Sequence, residues 1–376
     1  MYKLIVYPTQ ELAHFSYLIS GLVELEKEGY IKCEFSMRVK KDLGRISCKG
    51  KICKHDLLPQ PKTSFYEIID RKNKKNIKFA IDLYDIGYSF SNVALKENDY
   101  VFKRNYVMSY IKNLPIEYQK KIIPFGIPFP VNPGSFKGEL SVLAGYIISK
   151  LILNIKMDRS FFFRIYNFLK ITYGHIIFFK NQPNIDFFDN KLEINKNKVF
   201  YQKRLFIEEG YNKDVQEINL QRYLFVKRLK DTLSDEIFLG GLVANKLALK
   251  RYPSYITKLP NNRKLFYNAI KEAGIVIYTR GLEKSPGWTL PEYLSLGKAI
   301  LAEKHENIFS EPLVDGKDLI YFEDINDCMK KLKDLINDQE KINILSKNAK
   351  TYFETNLIPK INMKRVIKVM LNKQKN

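Results

Sequence analysis

In the stretch GIVIYTRGLEKSPGWTLPEYLSLGKAIL, residues 274–301, Arg280 and Lys284 flank a loop, Gly287 opens a short amphipathic run, and Glu292 stands near its middle. A helix starting near Gly287 presents the backbone N–H groups of Gly287, Trp288 and Thr289, with a partial positive charge, to an anion. Glycine there lets a phosphate approach the main chain closely. Glu292, further into the helix, is placed to accept hydrogen bonds from ribose hydroxyls beside such a phosphate. Arg204, at the end of the earlier run KVFYQKRLF (198–206), adds another cation. Cations at Arg204, Arg280 and Lys284 suit a diphosphate and would stabilise it as it departs. Neither a P-loop nor a G-x-G-x-x-G fingerprint is present. Alone, Gly287 is an ordinary helix-start residue and Glu292 an ordinary surface acid, and only their spacing together points to a nucleotide.

These residues need a scaffold that brings strand ends together. Strand-like runs occur at KLIVYP (3–8), IKCEFSM (31–37), NIKFAIDLYD (76–85), DYVFKRN (99–105) and KIIPFGI (121–127). Thr9 is placed to cap a helix from Glu11 to Gly29, where Leu12, Phe15, Ile19, Leu22 and Leu25 recur at helical spacing. Residues 39–75 read as a basic, loop-rich segment, and PFGIPFPVNPG (124–134) as the end of this half's core. A second series follows. It comprises KVFYQKRLF, a helix from about Val215 to Lys230, DEIFLGGL (235–242), a helix near Arg263–Ala273, GIVIYTRG (274–281), AILAEK (299–304), LIYFED (319–324) and a helical tail from Asp327. Strand–helix alternation in both halves predicts parallel sheets with crossover connections. The expected fold is α/β, with two Rossmann-like domains facing a cleft, and with ligands bound beyond the carboxyl ends of the strands.

The chain's 376 residues suit two domains. A hydrophobic content of 45% excludes a disordered chain. The formal net charge of +22 favours an anionic partner such as nucleic acid, an anionic membrane surface or a polyanionic small molecule. Its plain alternative is a lysine-rich composition of solvated side chains. Residues 136–180 belong to neither series, and there Lys156, Arg159, Arg164, Asn167 and Lys170 share one helical face opposite Phe161, Ile165 and Phe168. Such a helix suits a membrane interface or packs on its own domain. The cysteines Cys33, Cys48, Cys53 and Cys328 read as ordinary reduced thiols, because Cys48, Cys53 and His55 match no zinc spacing. MYKLIVYP lacks the features of a signal peptide, and the apolar run from Leu140 to Leu153 is too short and interrupted to span a bilayer. A cytoplasmic protein is expected.

The order of elements resembles the retaining glycosyltransferases of the GT-B fold. Their C-terminal domain carries a glutamate, seven residues and a second glutamate, followed by a small-residue turn and a strand. In KSPGWTLPEYLSLGKAIL (284–301), Glu292 falls on the second glutamate, Gly287 on the internal glycine and Gly297-Lys298 on the turn. EPLVDGKDLIYFED (311–324) resembles the loop and strand that follow, and Arg204 falls where the family has a phosphate-binding arginine. The resemblance covers most of 198–355 and is only architectural over 1–135. It departs at Lys284, which stands in place of the first glutamate with Glu283 adjacent, and at YPTQEL (7–12), where the family has a glycine-rich loop.

The resemblance implies an N-terminal acceptor domain over 1–197, with a basic, aromatic helical insertion at about 136–180. It implies a nucleotide-sugar-binding domain over 198–355, with the helix at 356–376 packing back on the first domain. Glu292 would hold the ribose, Gly287, Trp288 and Thr289 the phosphates with Arg280, and Arg204 and Lys284 would neutralise the leaving group. Acceptor contacts would come from Asp85, Lys103 and Arg104 at strand ends, Asp85 being the catalytic candidate among them. His14 has no such claim. A nucleotide-sugar donor, a glycan or lipid-linked acceptor and an anionic membrane surface would be the partners, with no metal or other cofactor and no nucleic acid. The rival readings are a non-catalytic nucleic-acid-binding basic protein, although no RRM, KH or zinc-finger pattern appears, and a degenerate glycosyltransferase-like binding subunit.

Overall fold

Apolar runs covered on both faces carry main-chain groups that only neighbouring strands can satisfy. In the computed structural model, which describes residues 2–7, 12–36, 44–49, 52–56, 62–70, 75–132, 134, 161–189, 197–208, 212–259 and 263–372, those runs pair into three sheets. The chain divides into two units, one of residues 1–189 with 307–311 and 356–376, the other of residues 190–306 with 312–355. Strands of the first unit are β1 (Tyr2–Tyr7), β2 (Ile31–Phe35), β3 (Arg45–Lys49), β4 (Ile52–Asp56), β5 (Thr63–Asp70), β6 (Lys75–Asp82), β7 (Ser89–Ser91), β8 (Tyr100–Lys103) and β9 (Ile122–Pro124). Those of the second are β10 (Val199–Lys203), β11 (Phe238–Leu242), β12 (Ile275–Tyr278), β13 (Ala299–Glu303) and β14 (Ile320–Phe322). Among the described residues, the helices of seven or more residues are α1 (Leu12–Lys27), α2 (Phe161–Lys180), α3 (Lys213–Thr232), α4 (Arg263–Glu272), α5 (Thr289–Ser295), α6 (Ile325–Ile336), α7 (Gln339–Tyr352) and α8 (Pro359–Asn372).

The first unit's main sheet has the order β2-β1-β5-β6-β8-β9 and is mixed, not parallel as the sequence suggests. β5 enters between β1 and β6 and pairs antiparallel with both. The segment read as loop-rich therefore holds β5 as well as β3 and β4, which pair antiparallel and join β7 in a second small sheet. Polar residues in TSFYEIID hid β5, yet Glu67 serves the fold by accepting the Tyr7 hydroxyl at 3.1 Å. Cys48 is disulfide-bonded, which overturns the expectation of reduced thiols throughout, and its Cα partner across β3 and β4 is Cys53. Thr9, Lys156 and Arg159 lie outside the described residues, as do the side chains of His14, His55, Arg164, Asn167 and Phe168.

At the ends of β3, β6 and β8, three charges are enclosed together. Asp82, fully buried, accepts from Arg45 at 2.7 Å and from Lys103 at 3.1 Å. Lys103 also donates to the Ser89 carbonyl at 2.7 Å, and the Arg45 guanidinium lies 4.3 Å from the centre of the Tyr84 ring. Burial pushes the Lys103 ammonium down to about 8.

α8 returns from the end of the chain to the first unit and packs on α1. Tyr17 donates to the Leu357 carbonyl at 2.6 Å, Asn362 donates to the Tyr17 hydroxyl at 3.2 Å, and Lys360 pairs with Glu28 at 2.7 Å. Gly21 lets the backbones approach, since a Cβ there would lie 2.4 Å from the Pro359 carbonyl oxygen. Gly21→Ala is expected to destabilise the first unit by about 1–3 kcal/mol, because a carbonyl cannot swing aside as a side chain can. Urea denaturation of the whole protein measures it, and an unchanged midpoint would mean the helices part without cost.

In the second unit the sheet is parallel throughout, in the order β11-β10-β12-β13-β14. Its core gathers Val199, Tyr201, Ile275, Ile277, Ala299 and Leu301 from the central strands. From β10 the chain crosses to β11 on one side and then returns to place β12 on the other. The strand order thus reverses at β10, and main-chain loops diverge from the carboxyl ends of β10 and β12 to leave a crevice.

Candidate functional site

A cavity of about 420 Å³ opens at that crevice. Gln202, Lys203 and Arg204 line it from the end of β10, and Thr279, Arg280 and Gly281 from the end of β12. Arg222 reaches in from α3, Phe266 from α4, and Glu292 from α5, with Gly287, Trp288 and Thr289 on the approach to α5. Each strand contributes through its last residues because parallel strands all end on one side of the sheet, where the chain leaves the ladder and the following loops diverge.

Lys203, not the neighbouring Arg204, is the enclosed cation of β10. It is 7% exposed and its ammonium has no hydrogen-bond or ion-pair partner among the described residues, lying 5.4 Å from the centre of the Tyr278 ring. Burial, reinforced by the nearby Arg222 charge, pushes Lys203 down to about 7. Arg204 lines the cavity from an exposed position. Its carbonyl accepts from Arg222 Nη1, and the Arg222 guanidinium lies 4.3 Å from the centre of the Phe206 ring. Burial lowers Arg222 to about 10, which leaves it a cation at neutral pH. Its Nε and the Gln202 Oε1 are buried without hydrogen-bond partners among the described residues. Unused polar groups on a cavity wall are groups a ligand can satisfy.

Glu292 is not the surface acid of the plain alternative, for it is fully buried and its Oε1 accepts from Tyr267 at 3.1 Å. Other expected contacts are already engaged. The Gly287 amide donates to the Tyr278 hydroxyl at 2.6 Å, so that main-chain donor is not open to a phosphate. Arg280 is held by Asp214 at 2.6 Å, with Glu217 and Glu303 at 3.8 and 3.9 Å, and those carboxylates offset its charge. Asp214 also accepts the Glu283 amide at 2.7 Å, which fixes the loop beside the cavity.

Lys284 is absent from the cavity lining. It is largely exposed, pairs with Glu306 at 3.5 Å and, like Glu283, has a left-handed backbone, with φ of 55° and 52° respectively. Asp85 belongs to the first unit and is bound by Arg104 and Lys62, each at 2.7 Å. Lys103 and Arg104, expected to be acceptor contacts, are buried and internally ion-paired. The structure therefore brings Arg204, Arg280, Gly287, Trp288, Thr289 and Glu292 around one cavity and leaves Lys284 and Asp85 off its wall. Gln202, Lys203, Arg222 and Phe266 join the cavity without having stood out in the sequence. Among the described residues no cluster of His, Cys, Asp or Glu is arranged to hold a metal.

No protein-family model matches the chain, and no curated protein matches it. Among solved structures it is similar to Anabaena HepE in complex with UDP, at 12% identity over 75% of this chain and 66% of that one, with a TM-score of 0.41. It is also similar to a glycosyltransferase from Rickettsia africae, at 11% identity over 76% and 66% of the two chains, with a TM-score of 0.36. A mutant of S. aureus TarM bound to fondaparinux, alpha-GlcNAc-glycerol and UDP matches at 12% identity over 88% and 75%, with a TM-score of 0.33. The chain spans just under two thirds of the length of HepE.

Proposed function

We propose that the second unit holds the diphosphate of a nucleotide-sugar, and that the protein transfers the sugar to an acceptor hydroxyl on a surface glycan or lipid-linked saccharide. The observation that carries this reading is the convergence of Lys203, Arg204 and Arg222 on a crevice at the strand-order reversal, with the buried Glu292 on the same wall. The cations would offset the charge that develops on the departing diphosphate without a metal. Glu292 would take the ribose hydroxyls, and Phe266 with Val243 gives the base an apolar surface. Transfer proceeds with retention: the anomeric C–O bond to the diphosphate breaks, the acceptor oxygen bonds to the same face, and its proton leaves on the diphosphate. The work is done in the cytoplasm, where nucleotide-sugars are the donors.

A binding subunit that holds the nucleotide but transfers nothing is the second reading. Lys284 favours it, because neither Lys284 nor Glu283 lines the cavity where the sugar would sit.

Thermal shift with UDP, GDP, CDP, ADP and TDP, and with RNA oligonucleotides alongside, tests the site. One nucleoside diphosphate is expected to stabilise the protein, by about 2.7 kcal/mol at a hundredfold excess over its Kd. Glu292→Gln keeps an acceptor for Tyr267 and is expected to remove most of that shift. Stabilisation by RNA alone would sink the proposal in favour of a nucleic-acid-binding protein. Sugar transfer that persists in EDTA, with the product anomer read by NMR, separates the enzyme from the binding subunit and checks the stereochemistry.

A further inference from the structure

One side of α2 packs on α1, while large apolar side chains at helical spacing, with Lys170 among them, face solvent. Phe162, Tyr166, Leu169, Tyr173 and Ile177 recur at spacings of three and four residues, with Phe163 beside them. Their exposures are 84% for Phe162, 69% for Phe163, 64% for Tyr166, 59% for Leu169, 68% for Tyr173 and 42% for Ile177. The sequence sets Phe161, Ile165 and Phe168 opposite a basic face from Lys156 to Lys170, whereas the large apolar side chains exposed along α2 are Phe162, Phe163, Tyr166, Leu169, Tyr173 and Ile177. A helix of 20 residues is about 30 Å long, which makes the stripe far larger than a scattered surface leucine.

We infer that this stripe lies in the interface of an anionic phospholipid bilayer, parallel to its plane. α2 contains no Asp or Glu, and Lys170 and Lys180 are exposed along it. Phenyl rings and Leu169 fill the acyl boundary, while the hydroxyls of Tyr166 and Tyr173 stay among the headgroups. Acidic headgroups supply counter-charge to Lys170, Lys180 and the +22 net charge. A second copy of the same face would set lysine against lysine. No described helix is long and apolar enough to cross a membrane, so the helix lies on the bilayer and does not span it. The inference does not rest on the transferase reading, since flotation can fail with nucleotide binding intact.

Flotation of the whole protein with vesicles of phosphatidylcholine, with and without phosphatidylglycerol, is the test. Wild type is expected to float with the anionic vesicles and to lose binding as salt rises. The triple variant Phe162→Ser/Tyr166→Ser/Tyr173→Ser is expected to bind on the order of a hundredfold more weakly. Its melting temperature and its nucleotide shift should match wild type, because these side chains are in solvent. Wild type left at the bottom of the gradient at low salt would overturn the inference, as would a triple variant that floats undiminished. So would a dimer in gel filtration that the triple variant breaks, which would assign the stripe to a second copy.

Discussion

Lys203→Met is expected to raise the melting temperature of the free protein while weakening nucleotide-sugar binding by about 10- to 100-fold. Both effects come from one enclosed ammonium with no hydrogen-bond or ion-pair partner among the described residues. Burial holds its folded value at about 7, against 10.5 for a solvated lysine. Between those values the unfolded chain binds more protons than the folded one, so wild-type stability rises with pH across that window. Methionine fills similar space without a charge, removes that pH-dependent component and stabilises the apo protein at pH 7 by about 1–3 kcal/mol. A bound diphosphate acts oppositely, because it keeps Lys203 protonated and raises its pKa. Affinity is therefore strongest below about pH 7 and falls as pH rises through the bound value. Calorimetry with a nucleotide-sugar, whose diphosphate does not titrate in this range, reads that slope directly. A slope that survives Lys203→Met, or a variant less stable than wild type, would remove Lys203 from the site.

Asp82→Asn should be the most damaging single change in the first unit, at about 3–5 kcal/mol. The amide keeps the shape of the side chain but removes the carboxylate charge that Arg45 and Lys103 share. Burial by itself raises the Asp82 carboxyl, but Arg45 and Lys103 outweigh it and hold the group below the usual carboxylate range. Its contribution is therefore complete above the unfolded pKa of roughly 4 and lost as pH falls through the folded value. Asp82→Asn should flatten that acid limb. Adding Lys103→Gln removes one of the two cations that faced Asp82 and should restore part of the lost stability. Denaturation at a series of pH values measures both, and additive losses in the double variant would show that the charges do not interact.

Much of the fold could be read in the sequence because parallel strands buried on both faces are continuous apolar runs. IVIY at β12 and AILAE at β13 are such runs. That same continuity hid the facing of β10, VFYQK, all five of whose residues are buried. With no polar–apolar alternation, nothing in the sequence separates Lys203 from Arg204, and the family resemblance selects the arginine. Arg222 shares the buried face of α3 with Val215, Ile218, Phe225, Val226 and Leu229, so its place on the apolar side of the helix was the signal that could have found it. Tyr267, which fixes Glu292, is 25 residues away from it in the chain and meets it only in the folded unit. In the first unit, β5 escaped notice because Thr63, Ser64, Glu67 and Asp70 interrupt its apolar residues, although Glu67 is used by Tyr7.

The return of α8 to α1 also orders events on the ribosome. Tyr17 waits for Leu357, a partner 340 residues downstream, which at 5–20 residues per second is roughly 20–70 s of synthesis. By the close of that interval the second unit has all its strands, whereas the first still lacks the helix that covers Gly21. The portion begun earliest is thus completed last, and the bare face of α1 is where a nascent chain would need a chaperone's shelter.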